Sequence, residues 1–121
     1  MTNLAIAVVI ENGRALVQHR FRESKNMVFE FPGGSIDNNE FPVQAAIREL
    51  REETGVRGLV AVNTYTYKNA FGGNIHFVIL EENKNRKIQP MVVDPERQQT
   101  FIGLQQKKYR CMIFTMRTLN S

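Results

Sequence analysis

The sequence predicts an α/β domain, a sheet of several strands covered by helices. Three observations lead there. Residues 2–11 are rich in Val, Ile and Ala and run into Asn12-Gly13, a strong two-residue hairpin signal. Val43, Ala46, Ile47 and Leu50 recur at helical spacing. Beyond them, β-branched and aromatic segments are separated by glycine-containing breaks.

In chain order, Thr2 to Glu11 reads as a buried strand and Arg14 to Arg20 as its hairpin partner. Residues 21–40 hold Phe31-Pro32-Gly33-Gly34 and Asp37-Asn38-Asn39, so irregular structure with tight turns is expected there. Phe41 to Thr54 reads as a helix. Pro42 suits its first turn, and Gly55 supplies a natural stop. Strands are expected at Leu59 to Tyr67 and Ile75 to Leu80, joined by residues 69–74, and another at Gln98 to Leu104. Tyr109, Met112, Ile113 and Met116 are spaced i, i+3, i+4 and i+7 and predict a final helix.

With 121 residues the chain can build one sizeable core but not two, so residues 1–121 are expected to form a single domain. An apolar fraction of 42% with 23% charged residues excludes a disordered or fibrous class. The longest apolar runs, Leu4 to Ile10 and Phe77 to Leu80, fall far short of the roughly 20 residues that cross a bilayer, so no membrane partner is expected. No basic residue precedes Arg14 and no small-residue cleavage pattern follows, which argues against a secretory signal. A lone cysteine, Cys111, suits a reducing cytoplasm and is expected to act as a small core hydrophobe.

The net charge of +4 is unevenly spread. All twelve acids lie at or before Glu96, whereas Arg97, Lys107, Lys108, Arg110 and Arg117 follow with no acid among them. A basic surface attracts phosphate-bearing ligands at long range, but spaced single charges more often form a solvated face. Nucleic acid is therefore not expected as a partner.

Glu49, Glu52 and Glu53 stand at i, i+3 and i+4, which predicts three carboxylates on one helical face, away from Val43, Ala46, Ile47 and Leu50. Clustered carboxylate oxygens suit a hard divalent cation such as Mg²⁺ or Mn²⁺. Such a cation neutralises charge on phosphoryl oxygens and lowers the pKa of an attacking water, and a spare carboxylate could act as general base. Arg48 has Glu52 at i+4 and is within reach of Glu40, so it could fix the orientation of the acids. Taken alone, the acids favour a solvated helix laced with Arg–Glu pairs.

The spacing decides between these readings. Gly34, five residues, Glu40, seven residues, then Arg48-Glu49-Leu50-Arg51-Glu52-Glu53-Thr54-Gly55-Val56 resembles the Nudix box, with Phe31-Pro32-Gly33 ahead of it as is typical of that family. The motif covers about a fifth of the chain. The resemblance implies the family fold, an α/β/α sandwich with a mixed sheet between helices. It implies metal ligation by Glu49, Glu52 and Glu53, with the Gly33 carbonyl a further candidate. Glu49 could combine ligation with base duty. Glu40 and Arg48 would be supporting residues, and Gly34 and Gly55 would serve backbone geometry.

Relatives often recruit one more acid from a loop outside the box, for which Asp94 and Glu96 are candidates, Glu96 the favoured one. Arg20 and Arg22 resemble basic residues that grip substrate phosphates in relatives, a role that suits the arginine fork. Phe29, Tyr65, Tyr67 and Phe71 are the aromatics that could stack on a base, and none is assigned. His19 and His76 show no metal-site spacing and are expected to be structural. Two departures stand out: Asn39 replaces a glycine that usually precedes the first box glutamate, and the tail after Leu104 is short, basic and acid-free.

The activity implied is Mg²⁺-dependent pyrophosphohydrolysis of a nucleoside triphosphate, including oxidised or noncanonical ones, to a nucleoside monophosphate and pyrophosphate. An ADP-ribose or other nucleotide-sugar pyrophosphatase is the alternative, weakened by the absence of proline between Val56 and Pro90. A non-catalytic nucleotide-sensing module is the alternative of another class, and the intact box counts against it. Relatives are often dimers, and Met112, Ile113 and Phe114 could serve a homodimer interface or the core.

Overall fold

The computed structural model describes residues 2–22, 26–69, 72–84, 86–91, 93 and 99–119. The first hairpin is β1 (Leu4–Glu11) and β2 (Arg14–Arg22). It turns through Asn12 and Gly13, both in the left-handed region at φ 53° and 75°, as the two-residue turn demands.

Residues 26–35, expected to be irregular, contain two short strands, β3 (Asn26–Glu30) and β4 (Gly33–Ser35). Their existence depends on partners rather than on local propensity. β3 lies antiparallel to the far half of β2. β4 places two glycines beside β1, with Ile6 opposite Gly33 and Ala5 opposite Gly34. A Cβ at Gly33 would come within 2.6 Å of the Ala5 carbonyl oxygen, so only glycine permits this approach.

Helix α1 (Pro42–Thr54) begins one residue later than the periodicity suggested. Phe41 is its extended N-cap, with its N–H donated to Gln44 Oε1 at 2.8 Å. It ends at Gly55, which takes φ 76° and donates its N–H to the Arg51 carbonyl at 2.9 Å. After it come β5 (Val60–Lys68), β6 (Asn74–Glu81), β7 (Gln99–Gln105) and α2 (Gln106–Leu119), each within a residue or two of expectation where bounds were predicted.

The strands join in the order β3-β2-β1-β6-β5, with β4 added beside β1 and β7 beside β2. β1 and β6 run parallel and the remaining pairs are antiparallel, so the sheet is mixed. Alternation along the central strands divides the core into two layers. Ala5, Ala7, Val9, Val78 and Leu80 meet Ala45, Ala46 and Leu50 of α1. Ile6, Val8, Ala15, Val17, Ile75 and Phe77 form the opposite layer, against which Tyr109, Met112, Ile113 and Met116 of α2 pack. The fold is therefore the expected α/β/α sandwich.

Three side chains sit differently from expectation. Ile47, assigned to the apolar face of α1, is 37% exposed, while Ala45 is fully buried. The inward stripe of α1 is Ala45, Ala46, Leu50, Glu53 and Thr54, so it includes one of the three acids. Cys111 is exposed rather than in the core, because α2 turns Met112 and Ile113 inward instead. Phe114 is exposed as well. No described helix is long and apolar enough to cross a membrane.

Candidate active site

The box residues converge where the N-terminal part of β4 meets the middle and end of α1. Arg48 is the hub. Its Nε and Nη2 donate to Glu40 Oε2 and Oε1 at 2.8 and 3.0 Å, a two-pronged fork on one carboxylate. Nη2 also donates to the Ser35 carbonyl at 3.0 Å, and Nη1 reaches Glu49 Oε1 at 3.0 Å and Glu52 Oε2 at 3.3 Å. Glu40 further accepts the Asp37 N–H at 3.0 Å, which ties the turn before the helix to the same cluster. The Arg48 hydrogen bonds, and then that backbone N–H, hold the Glu40 carboxyl below its ordinary range. In return Glu40, and then Glu49, hold the guanidinium more firmly protonated.

The turn that delivers Glu40 explains the departure at position 39. Asn39 has φ 64°, and asparagine is among the few non-glycine residues that adopt this conformation readily. Gly34 has a different duty from Gly55, since its φ is not positive. A Cβ there would lie 2.6 Å from Glu49 Oε1, so the absent side chain leaves room for that carboxylate.

The three acids differ in burial. Glu52 is half exposed, Glu49 is mostly covered, and Glu53 is 6% exposed. Glu53 Oε1 accepts from Gln18 Nε2 at 2.6 Å and Oε2 from the Gly33 N–H at 3.0 Å, bringing β2, β4 and α1 to one point. Among the described residues no three metal-ligating side chains are grouped closely enough to hold a cation as they stand. The geometry gives the reason: Arg48 draws Glu49 and Glu52, while Gln18 and Gly33 hold Glu53.

Gln18 went unnoticed in the sequence. It is 1% exposed, and its Oε1 has no hydrogen-bond partner, at a cost of about 1–3 kcal/mol for a buried acceptor. The available signal was a polar residue in the interior of an otherwise apolar strand, at the alternate position to the buried Ala15 and Val17.

Arg20 and Arg22 lie in β2 opposite Val28 and Asn26 of β3, but their side chains fall outside the described residues, as do Asp94, Glu96 and Phe71. The flanks of the 94–98 stretch are defined: the Met91 N–H donates to the Thr54 carbonyl at 2.8 Å, and Gln99 pairs with Arg20. Phe29 stacks on His19 at 4.4 Å, and Tyr67 packs edge-on against Phe77 at 6.0 Å. Tyr65 is exposed, with its hydroxyl accepting from Asn63 at 2.9 Å. His76 Nδ1 lies 2.7 Å from Thr66 Oγ1, and burial depresses its pKa. Both histidines thus have structural contacts.

The model of the NUDIX domain matches residues 1–106. A "MutT-like protein" of Streptomyces ambofaciens is 38% identical over 76 residues, 63% of this chain and 47% of that protein. A CTP pyrophosphohydrolase of Escherichia coli K12 is 30% identical over 76 residues, 62% of this chain and 56% of that protein. The chain thus spans about half the length of the curated relatives it matches. Among solved structures, an Ap4A hydrolase binary complex from C. elegans superposes with a TM-score of 0.66 at 18% identity, over 97% of this chain and 95% of that one. At that identity the likeness speaks for the fold alone.

Proposed function

The chain belongs to the NUDIX family, and on that premise we propose that it is a Mg²⁺-dependent pyrophosphohydrolase of a nucleoside triphosphate. The observation that carries this reading is the Arg48-centred cluster, which gathers Glu40, Glu49 and Glu52 beside the Gly33-Gly34 strand while Glu53 is held next to it. Every donor offered is a carboxylate or carbonyl oxygen, the chemistry that suits Mg²⁺, with Mn²⁺ as a substitute. Glu49, Glu52 and Glu53 would hold the cation, with the Gly33 carbonyl as a further ligand. A bound cation supplies charge neutralisation on the phosphoryl oxygens and activation of the attacking water.

The chain's own groups supply positioning. Arg48 keeps Glu49 and Glu52 gathered, and Glu40 keeps Arg48 in place. Glu49, lying over Gly34, is the carboxylate we assign to proton removal from water. Glu96 is a proposed additional ligand; the pairing of Met91 with Thr54 and of Gln99 with Arg20 supports it by tethering both flanks of its loop near the end of α1 and β2. Arg20 and Arg22 are proposed to grip the substrate phosphates. Water adds to one phosphorus, the bridging P–O bond breaks, and a nucleoside monophosphate, pyrophosphate and a proton leave. The absence of proline between Val56 and Pro90 supports a triphosphate over a nucleotide sugar, and the lone cysteine supports a cytoplasmic setting.

The reading is tested with a panel of ordinary and oxidised nucleoside triphosphates, ADP-ribose and dinucleoside polyphosphates under Mg²⁺ and Mn²⁺, with products assigned by ³¹P NMR. Pyrophosphate release from a triphosphate is expected. Cleavage of ADP-ribose alone would replace the substrate class, and an inert enzyme that still binds nucleotide would favour a sensing module.

A further inference from the structure

Gln18 stands outside the glutamate motif, in the middle of β2, with Phe101 of β7 and Glu30 of β3 as its register neighbours. We infer that Gln18 is a positioning residue for Glu53, its amide N–H fixing the orientation of that carboxylate. The inference rests on the metal-dependent reading above.

The geometry supports it in three ways. The Nε2 to Oε1 contact is short, at 2.6 Å, and buried. A carboxylate offers only acceptors, so the amide must present its nitrogen to it, which fixes the end-for-end orientation of Gln18. The other end of the amide, Oε1, then finds no partner, although a rotated or apolar side chain would avoid that loss. Packing alone does not account for such an arrangement.

The second carboxylate oxygen is held from a different strand, by the Gly33 N–H at 3.0 Å. Donors from β2 and β4 therefore define the plane of a carboxylate carried by α1, and the free rotation of its terminal torsion is removed. Both of these donors are neutral N–H groups, and they hold the carboxylate from two different strands.

The test is Mn²⁺ binding to the full chain, read by electron paramagnetic resonance. Gln18→Met keeps the volume and removes the amide, and should raise the Mn²⁺ dissociation constant about 10- to 100-fold. In a Glu53→Ala background the same change should alter it less than about twofold, because the carboxylate that Gln18 orients is already gone. A purely structural Gln18 would weaken binding equally in both backgrounds, and that result, or an unaltered Gln18→Met, would overturn the inference. Should Gln18→Met fail to fold, Gln18→Asn, which withdraws the amide by one methylene, should show the same coupled loss, and an uncoupled loss would overturn it. A wild type that takes up no Mn²⁺ defeats the metal-dependent reading and this inference with it. Normal wild-type uptake beside an unaltered variant defeats the inference alone.

Discussion

Gly33 and Gly34 are neighbours that exclude a side chain for opposite reasons. At Gly33 a Cβ would strike backbone, 2.6 Å from the Ala5 oxygen, which cannot yield without parting β1 from β4. Gly33→Ala should therefore cost about 1–3 kcal/mol in chemical denaturation. At Gly34 the obstacle is the flexible end of Glu49, so Gly34→Ala should change stability by less than about 1 kcal/mol while lowering turnover at least about tenfold. Equal stability losses for the two variants would contradict this division. Acid titration separates the Arg48 fork in the same manner. The folded Glu40 carboxyl is held below its ordinary value of 4.5, so the unfolded chain binds the proton first as the pH falls. The contribution to stability is complete above that value and is lost as the pH drops through the lowered one. Glu40→Gln should remove that component from the acid limb of a stability–pH curve, and identical acid limbs would refute it. Spacing in the sequence was sufficient to find Arg48 and its acids, because they meet across short separations on one helix and the turn before it. Gln18 was not legible, since its partner lies thirty-five residues away and depends on which strand lands beside which helix.

Helix α1 carries both the packing and the acids. Leu50 is 2% exposed between the sheet and the site residues, and Leu50→Ala should lower stability by about 2–5 kcal/mol. Urea unfolding monitored by circular dichroism would show it, and a loss under 1 kcal/mol would mean that α1 is not anchored through that side chain. The bounds of α1 could be read closely because proline, glycine and the 3.6-residue period all agree there. Its inward stripe could not: apolar letters placed Ile47 inside and Glu53 outside, whereas hydrogen bonds from β2 and β4 turn Glu53 inward. Strands β3 and β4 escaped notice for a related reason. Two glycines have no strand propensity of their own, and β4 exists because β1 offers an edge that only glycine can approach so closely.

Across the whole molecule the two faces of the sheet carry opposite business. The acids and Arg48 belong to the α1 layer, while the exposed Lys107, Lys108 and Arg110 belong to α2 on the other side. A full sandwich thickness exceeds the Debye length of about 8 Å at physiological salt, so these cations are screened from the site. Replacing all three with glutamine should change kcat/KM less than about threefold at that ionic strength, and a larger drop would show that the basic tail takes part in substrate capture. The acid-free tail was plain in the sequence, but its side of the molecule was not, because that depends on how β7 hands the chain to α2. What unites the site is that donors from β2 and β4 meet carboxylates carried by α1 and the turn before it. The most direct measurement is pyrophosphate release with Mg²⁺ by wild type and Glu52→Gln, a half-exposed position whose change should leave folding intact. Release that chelation abolishes is expected, with a Glu52→Gln protein of native circular dichroism and activity reduced at least about a hundredfold. Retained activity in that variant, or release that persists without divalent metal, would contradict the proposed function.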